Sequence, residues 1–153
     1  MIGKLRDLFS KEKESKFQAP AHDRVHFAAA VLLVEMAQAD HEKKESEMTE
    51  IHNQLVSYFN LTDKESQLLL ADAEDAVEHS VSLHGFTRTL HNEMSYKEKE
   101  AVIEMLWRIA LADQSLDKYE DYLIGKIAEL LYVSRGDVIR LKHDVLKSKS
   151  LDR

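Results

Sequence analysis

From about His22 to Ala39, the apolar residues Val25, Ala28, Ala29, Leu32, Leu33 and Met36 recur at intervals of three and four. That spacing sets side chains along one face of a helix. A polar turn at His41 to Lys44 interrupts the pattern. It resumes from about Glu45 to Phe59, with Met48, Ile51, Leu55 and Phe59 inward and Asn60-Leu61 as the stop. Thr62-Asp63-Lys64-Glu65 has the form of a capping box, in which the threonine accepts from the backbone and the glutamate reaches back. It opens a third helix running to about His79. Ser80 to Asn92, with Val81, Leu83, Phe86 and Leu90, predicts a shorter linking helix. Ser95-Tyr96-Lys97-Glu98 is a second capping box, and its helix runs to about Ala112 with Val102, Met105, Leu106 and Ile109 inward. Asp117-Lys118-Tyr119-Glu120 is a further start signal, followed by Leu123, Ile124, Ile127, Leu130 and Leu131. Ser134 caps a last helix to about Lys147 that buries Val138, Leu141 and Val145. Residues 148–153 are expected to form a frayed tail.

One short pattern occurs twice. Ala37-Gln38-Ala39-Asp40 is followed by Glu47, and Ala110-Leu111-Ala112-Asp113 is followed at the same spacing by Glu120. The flanks correspond as well. Leu32, Leu33 and Met36 align with Met105, Leu106 and Ile109. After a one-residue slip, Ile51, Leu55, Phe59, Leu61 and Leu69 align with Leu123, Ile127, Leu131, Val133 and Leu141. The pattern reads as an internal duplication of roughly 40 residues, spanning about 25–79 and 96–147, and two copies favour a pseudo-symmetric bundle over a solenoid. The expected fold is all-α, a bundle of about seven or eight helices built from two pseudo-symmetric three-helix halves. The helical domain covers residues 22–147. Residues 1–21 precede it as an amphipathic helix and a linker containing Pro20.

Composition narrows the chemistry. The 153 residues are 44% hydrophobic with four glycines and one proline, enough for one core and poor in the turns that sheets need. The absence of cysteine removes disulfides, thiolate metal sites and cysteine nucleophiles, and suits a reducing cytoplasm. A net charge of −7 without a basic stripe argues against nucleic-acid binding, which needs clustered Lys and Arg. The longest apolar run, Phe27 to Val34, is well short of the roughly 20 residues of a membrane span. No secretory h-region is visible at the start, and Gly3 is misplaced for myristoylation.

The repeated acids stand out because of where they fall. Asp40 lies four residues after Met36, and Asp113 four after Ile109, so each aspartate prolongs an inward stripe. Each also sits at a helix C-terminus, against the helix dipole. Glu47 and Glu120 open the next inward stripes. Two readings follow. In the first, the acids serve as turn builders, the aspartates accepting backbone N–H groups and the glutamates meeting the positive ends of helices. Alternatively, pseudo-symmetry gathers Asp40, Glu47, Asp113 and Glu120 into one acidic site for a hard cation such as Ca²⁺ or Mg²⁺, or for a basic partner surface. An EF-hand is excluded: Lys118 stands at the turn-glycine position and Ile124 at the bidentate glutamate position.

Other groupings are weaker. His22 and His26 share a helix face, yet zinc asks for three or four ligands. Trp107 reads as core. No nucleophile elbow, Walker loop, dinucleotide fingerprint or zinc-protease motif is present. Ile2, Leu5, Leu8 and Phe9, with Lys4, Arg6, Lys11 and Lys13 on other faces, make residues 1–13 either a docking helix or a contact for an anionic membrane surface.

The two Ala-x-Ala-Asp repeats, each with its glutamate seven positions on, resemble the TerB-like domain of bacterial tellurite-resistance proteins. The same domain class is found in the membrane-anchored DnaJ-like co-chaperone of the bacterial envelope. The resemblance spans about Val25 to Leu146. Where the family's turn reads Ala-Asp-Gly, His41 and Gln114 replace the glycine, and positive φ is less accessible to them. The resemblance implies an all-helical cytoplasmic protein of stress response, with an acidic surface for metal or partner mapping onto Asp40, Glu47, Asp113 and Glu120. The expected role is a binding or scaffold module with a protein partner and not an enzyme, since no base, positioning group or substrate pocket is identifiable beside the carboxylates. The alternatives are a metal-dependent hydrolase using the same carboxylates and a membrane-surface adaptor acting through the N-terminal helix.

Overall fold

The computed structural model describes residues 23–38, 44–79, 82–112 and 117–151. The predicted N-terminal helix and linker, and the turns holding Asp40 and Asp113, lie outside the described residues. Among the described residues seven helices follow one another: α1 Arg24–Ala37, α2 Lys44–Phe59, α3 Asp63–Glu78, α4 Leu83–Glu93, α5 Tyr96–Ala110, α6 Lys118–Leu131 and α7 Arg135–Leu151. No strand occurs among the described residues. The chain is an all-α bundle, as its periodicity predicts.

Local signals account for most helix ends. The Thr62 hydroxyl accepts from the Glu65 N–H at 3.1 Å while the Glu65 carboxylate accepts from the Thr62 N–H at 2.9 Å. Ser95 and Glu98 repeat the exchange at 3.1 and 2.8 Å. Asp23 caps α1, its carboxylate accepting from Val25 at 2.7 Å and His26 at 3.2 Å. Both α2 and α6 end on a left-handed residue, Asn60 (φ 56°) and Tyr132 (φ 63°). The next N–H then reaches back five residues, Leu61 to the Val56 carbonyl and Val133 to that of Ala128, the closure that satisfies otherwise orphaned carbonyls. The last helix runs on through Ser148 to Leu151. Neither glycine nor proline stops it, and Lys149 in its last turn suits the negative end of the helix dipole.

Helix α1 is the centre. Every residue from Phe27 to Val34 is buried, where the stripe of threes and fours predicted a single buried face. The eight-residue apolar run is the sign of this, since a helix apolar all round has to be covered all round. α2, α3, α4 and α5 provide the cover, while α6 and α7 pack on the far side of α5, with α6 also on α4. The Phe27 and Phe86 rings meet edge to face at 5.8 Å, and His26 stacks on Phe59 at 4.3 Å. Trp107 is core, as its place in the pattern predicts, and its indole N–H donates to the Val138 carbonyl at 3.0 Å, joining α5 to α7.

Polar ties bind the outer seams. Arg24 pairs with Glu93, linking the start of α1 to the end of α4. At the α5–α7 seam, the Ser134 N–H donates to the Tyr96 hydroxyl at 3.0 Å, which in turn donates to Asp137 at 2.7 Å. Arg140 donates to Asp137 at 3.2 Å and to Glu100 at 2.7 Å. The bonds from Tyr96 and Ser134, with that from Arg140, hold the Asp137 carboxyl below its ordinary range.

Two outcomes test this packing. Leu106→Ala, at a wholly buried position, is expected to cost about 2–5 kcal/mol in urea unfolding, whereas Leu68→Ala on the exposed side of α3 changes stability by no more than about 0.5 kcal/mol. A group whose acidity is raised on folding stabilises above its unfolded pKa and loses that contribution as pH falls through the folded value. The melting-temperature gap between wild type and Asp137→Asn should therefore be present at neutral pH and close on acidification below the ordinary carboxylate value of 3.8. A gap constant with pH would show that the seam does not depend on this charge.

Candidate acidic site

Glu47 falls in the first turn of α2 and Glu120 in the first turn of α6. Both side chains are sealed, at 1% and 0% exposure. A buried carboxylate needs donors or opposite charge around it, and a helix N-terminus offers both unsatisfied N–H groups and a positive dipole end. For Glu120 one donor is explicit: its carboxylate accepts from the Asp117 N–H at 3.3 Å. The helices carrying the two glutamates both pack on α5 and do not pack extensively on each other.

Asp40 and Asp113 lie outside the described residues. Among the described residues, no three His, Asp or Glu side chains converge as a metal-binding group, so a cage of the kind the sequence predicts has to draw on the aspartates. Glu35, half-buried on α1 five positions before Asp40, was not singled out by periodicity. Desolvation raises its carboxyl above the usual range.

Tertiary packing also makes three groupings that no sequence motif announced. The Ser66 hydroxyl lies 2.9 Å from His52 Nδ1, and His52 Nε2 lies 3.4 Å from Asp63. These are the residue types of a hydrolytic triad, but Ser66 is wholly buried, and a nucleophile has to meet its substrate. The trio clips α2 to α3. A polar recess of about 410 Å³ opens between α2 and α5, lined by Glu50, Asn53, Gln54, Ser57, Tyr58 and Arg108. Of its lining residues, the Tyr58 hydroxyl donates to Glu104 at 2.8 Å and Arg108 donates to the same carboxylate at 3.2 Å. Burial, together with the bond to Glu104, raises the Tyr58 phenol above its usual range. Third, buried Lys99 donates to His91 Nδ1 at 2.6 Å, and the His91 ring stacks on Tyr132 at 4.6 Å. That stacking helps seat Tyr132 in a left-handed conformation that costs a residue with a Cβ about 1 kcal/mol.

The Glu120 contact yields a prediction that separates acceptor from charge. Glu120→Ala removes the partner of the Asp117 N–H and should destabilise by about 1–3 kcal/mol in urea unfolding. Glu120→Gln keeps an acceptor of the same length and should cost less. Equal losses would show that the buried charge, and not the helix-start bond, is what the fold requires.

Comparison of the chain with family profiles gives a match to the family described as tellurite resistance protein TerB, over residues 26–143. Comparison with curated proteins and with solved structures gives no match. The matched segment begins in the first turn of α1, ends within α7 and takes in all four acids of the repeated pattern. The chain belongs to the tellurite resistance protein TerB family.

Proposed function

We propose that this TerB-family chain is a non-catalytic binding module of stress response, acting in the cytoplasm. In this reading Asp40, Glu47, Asp113 and Glu120 engage a divalent cation such as Ca²⁺ or Mg²⁺, or a basic surface of a protein partner. The observation that carries it is the burial of Glu47 and Glu120 in the first turns of two helices, each directly downstream of an Ala-x-Ala-Asp segment. Hard cations take carboxylate and carbonyl oxygens, and a helix start that already orders a glutamate reduces the conformational entropy lost when a ligand binds. Membership of the tellurite resistance protein TerB family supports a tellurite-resistance context. A chain without cysteine has no thiol with which to reduce tellurite, so its part in such a response is indirect. No described helix is long and apolar enough to cross a membrane.

The test is calorimetric titration of chelator-treated protein with Ca²⁺, Mg²⁺ and Mn²⁺, alongside the Asp40→Asn/Asp113→Asn double variant. Saturable heat in the wild type and none in the variant is expected. A ligand that binds only the folded state at about 100 times its Kd adds about 2.7 kcal/mol of stability, so melting temperature should rise in parallel. No heat and no rise with any of the three ions would overturn the cation reading. A tetralysine peptide titrated into the same two proteins then reads the basic-surface alternative.

A further inference from the structure

The surface of the second half is unlike that of the first. Of the eight large hydrophobic side chains exposed among the described residues, five, Tyr119, Tyr122, Tyr132, Ile139 and Leu146, lie on α6, α7 or the turn between them. A groove of about 670 Å³ runs between these helices, with buried Trp107 and Val138 among its lining residues and Tyr122 and Ile139, 60% and 49% exposed, at its rim. The Lys142 ammonium stands 5.2 Å from the centre of the Trp107 ring. In a chain of charge −7, this groove sets Lys126, Arg135, Lys142 and His143 against Asp121 and Glu129.

Helix α3 has the opposite character. It carries six acidic residues and one lysine. Its inner side buries Ser66, Leu69, Ala73 and Ala76, and it packs on α1 and α2. The outer side exposes Leu68, Ala71, Asp75 and Glu78, spaced so that one helical face presents an apolar anchor followed by acids. α7, which holds the corresponding place in the other half of the sequence repeat, carries five Lys and Arg residues against two Asp.

We propose that the groove between α6 and α7 receives α3 of a second copy of this chain, joining molecules head to tail. An amphipathic helix laid in a hydrophobic groove is a recurring mode of recognition, and here Leu68 supplies the anchor and Asp75 and Glu78 the charge that meets Arg135 and Lys142. The two surfaces cannot satisfy each other within one molecule, because α3 has no extensive packing on α6 or α7. Groove against groove would set cations against cations. A contact between two different patches is heterologous, so it closes into a ring or continues as a chain instead of stopping at a dimer.

Sedimentation velocity on the full chain at rising protein concentration tests this, with Leu68→Lys and Ile139→Glu as variants at exposed positions whose folding is checked by circular dichroism. Wild type should grow past a dimer at low salt and shrink toward monomer at about 1 M salt, where charge attractions are screened. Each variant alone should stay monomeric. An equimolar mixture of the two should form a one-to-one dimer and nothing larger, since one retains the groove and the other the helix. Wild type that is monomeric at every concentration overturns the proposal. So does assembly that survives Leu68→Lys, or a variant mixture that stays monomeric.

Discussion

The bundle depends on a helix with no wet side. Over Phe27 to Val34, α1 offers water nothing to solvate, and its burial is favourable only if neighbours arrive from every direction. Four helices do so. Each of those neighbours needs only one apolar stripe to meet α1, so its outer face is free to be charged, and a chain that is 32% charged can still build a dry centre. Chemistry is thereby pushed away from the middle. Whatever this protein binds has to be met at helix ends or on outer faces, because the interior around α1 is apolar and closed.

The carboxylates inside this frame are placed where the backbone can tolerate them. Burying an ion costs several kcal/mol before compensation, yet Glu47 and Glu120 are both sealed in first turns, where uncommitted N–H groups and the dipole favour negative charge. Such a glutamate does two things at once. It fixes where its helix begins, as the bond from the Asp117 N–H shows, and it places negative charge next to the preceding turn. The turn-building and ligand-binding readings of the acids are therefore not exclusive. By contrast, Ser66, His52 and Asp63 show how little residue type alone decides, since the right three groups in contact make a clip when the serine is out of reach of any substrate.

Legibility followed the range of the interaction. The capping boxes at Thr62 and Ser95 were readable because both partners lie within four residues and the geometry is local. Family membership was readable because a repeated Ala-x-Ala-Asp pattern is a property of the string. The role of α1 was only half readable: periodicity gave its orientation, while the run Phe27–Val34 held the stronger message that it has no outside. Positive φ at Tyr132 carried no signal of its own kind, since neither Gly nor Asn marks it, although its repeat counterpart Asn60 is a residue that tolerates the conformation. The pairing of Lys99 with His91 and the polar recess beneath Tyr58 depend on how separate helices cross, and no spacing in the sequence encodes that. Asp40 and Asp113 are legible as a pattern but fall outside the described residues, so of the candidate quartet only Glu47 and Glu120 have a described geometry.

The two stretches that share the sequence pattern differ most in charge. α3 and α7 hold corresponding places in the repeat, and each lays an apolar side on the first helix of its own half. Nothing in that packing requires their outer faces to differ. Yet one helix is strongly acidic and the other basic, and the basic one borders a groove whose rim is aromatic and aliphatic. Solubility alone is served by net charge of either sign spread over the surface; it gives no reason to segregate the signs or to leave Tyr122 and Ile139 uncovered beside the cations. Segregation costs little in an isolated molecule and acquires an energetic role once the acidic face of one molecule can meet the basic face of another. The apolar contacts then supply adhesion and the charges set which face meets which.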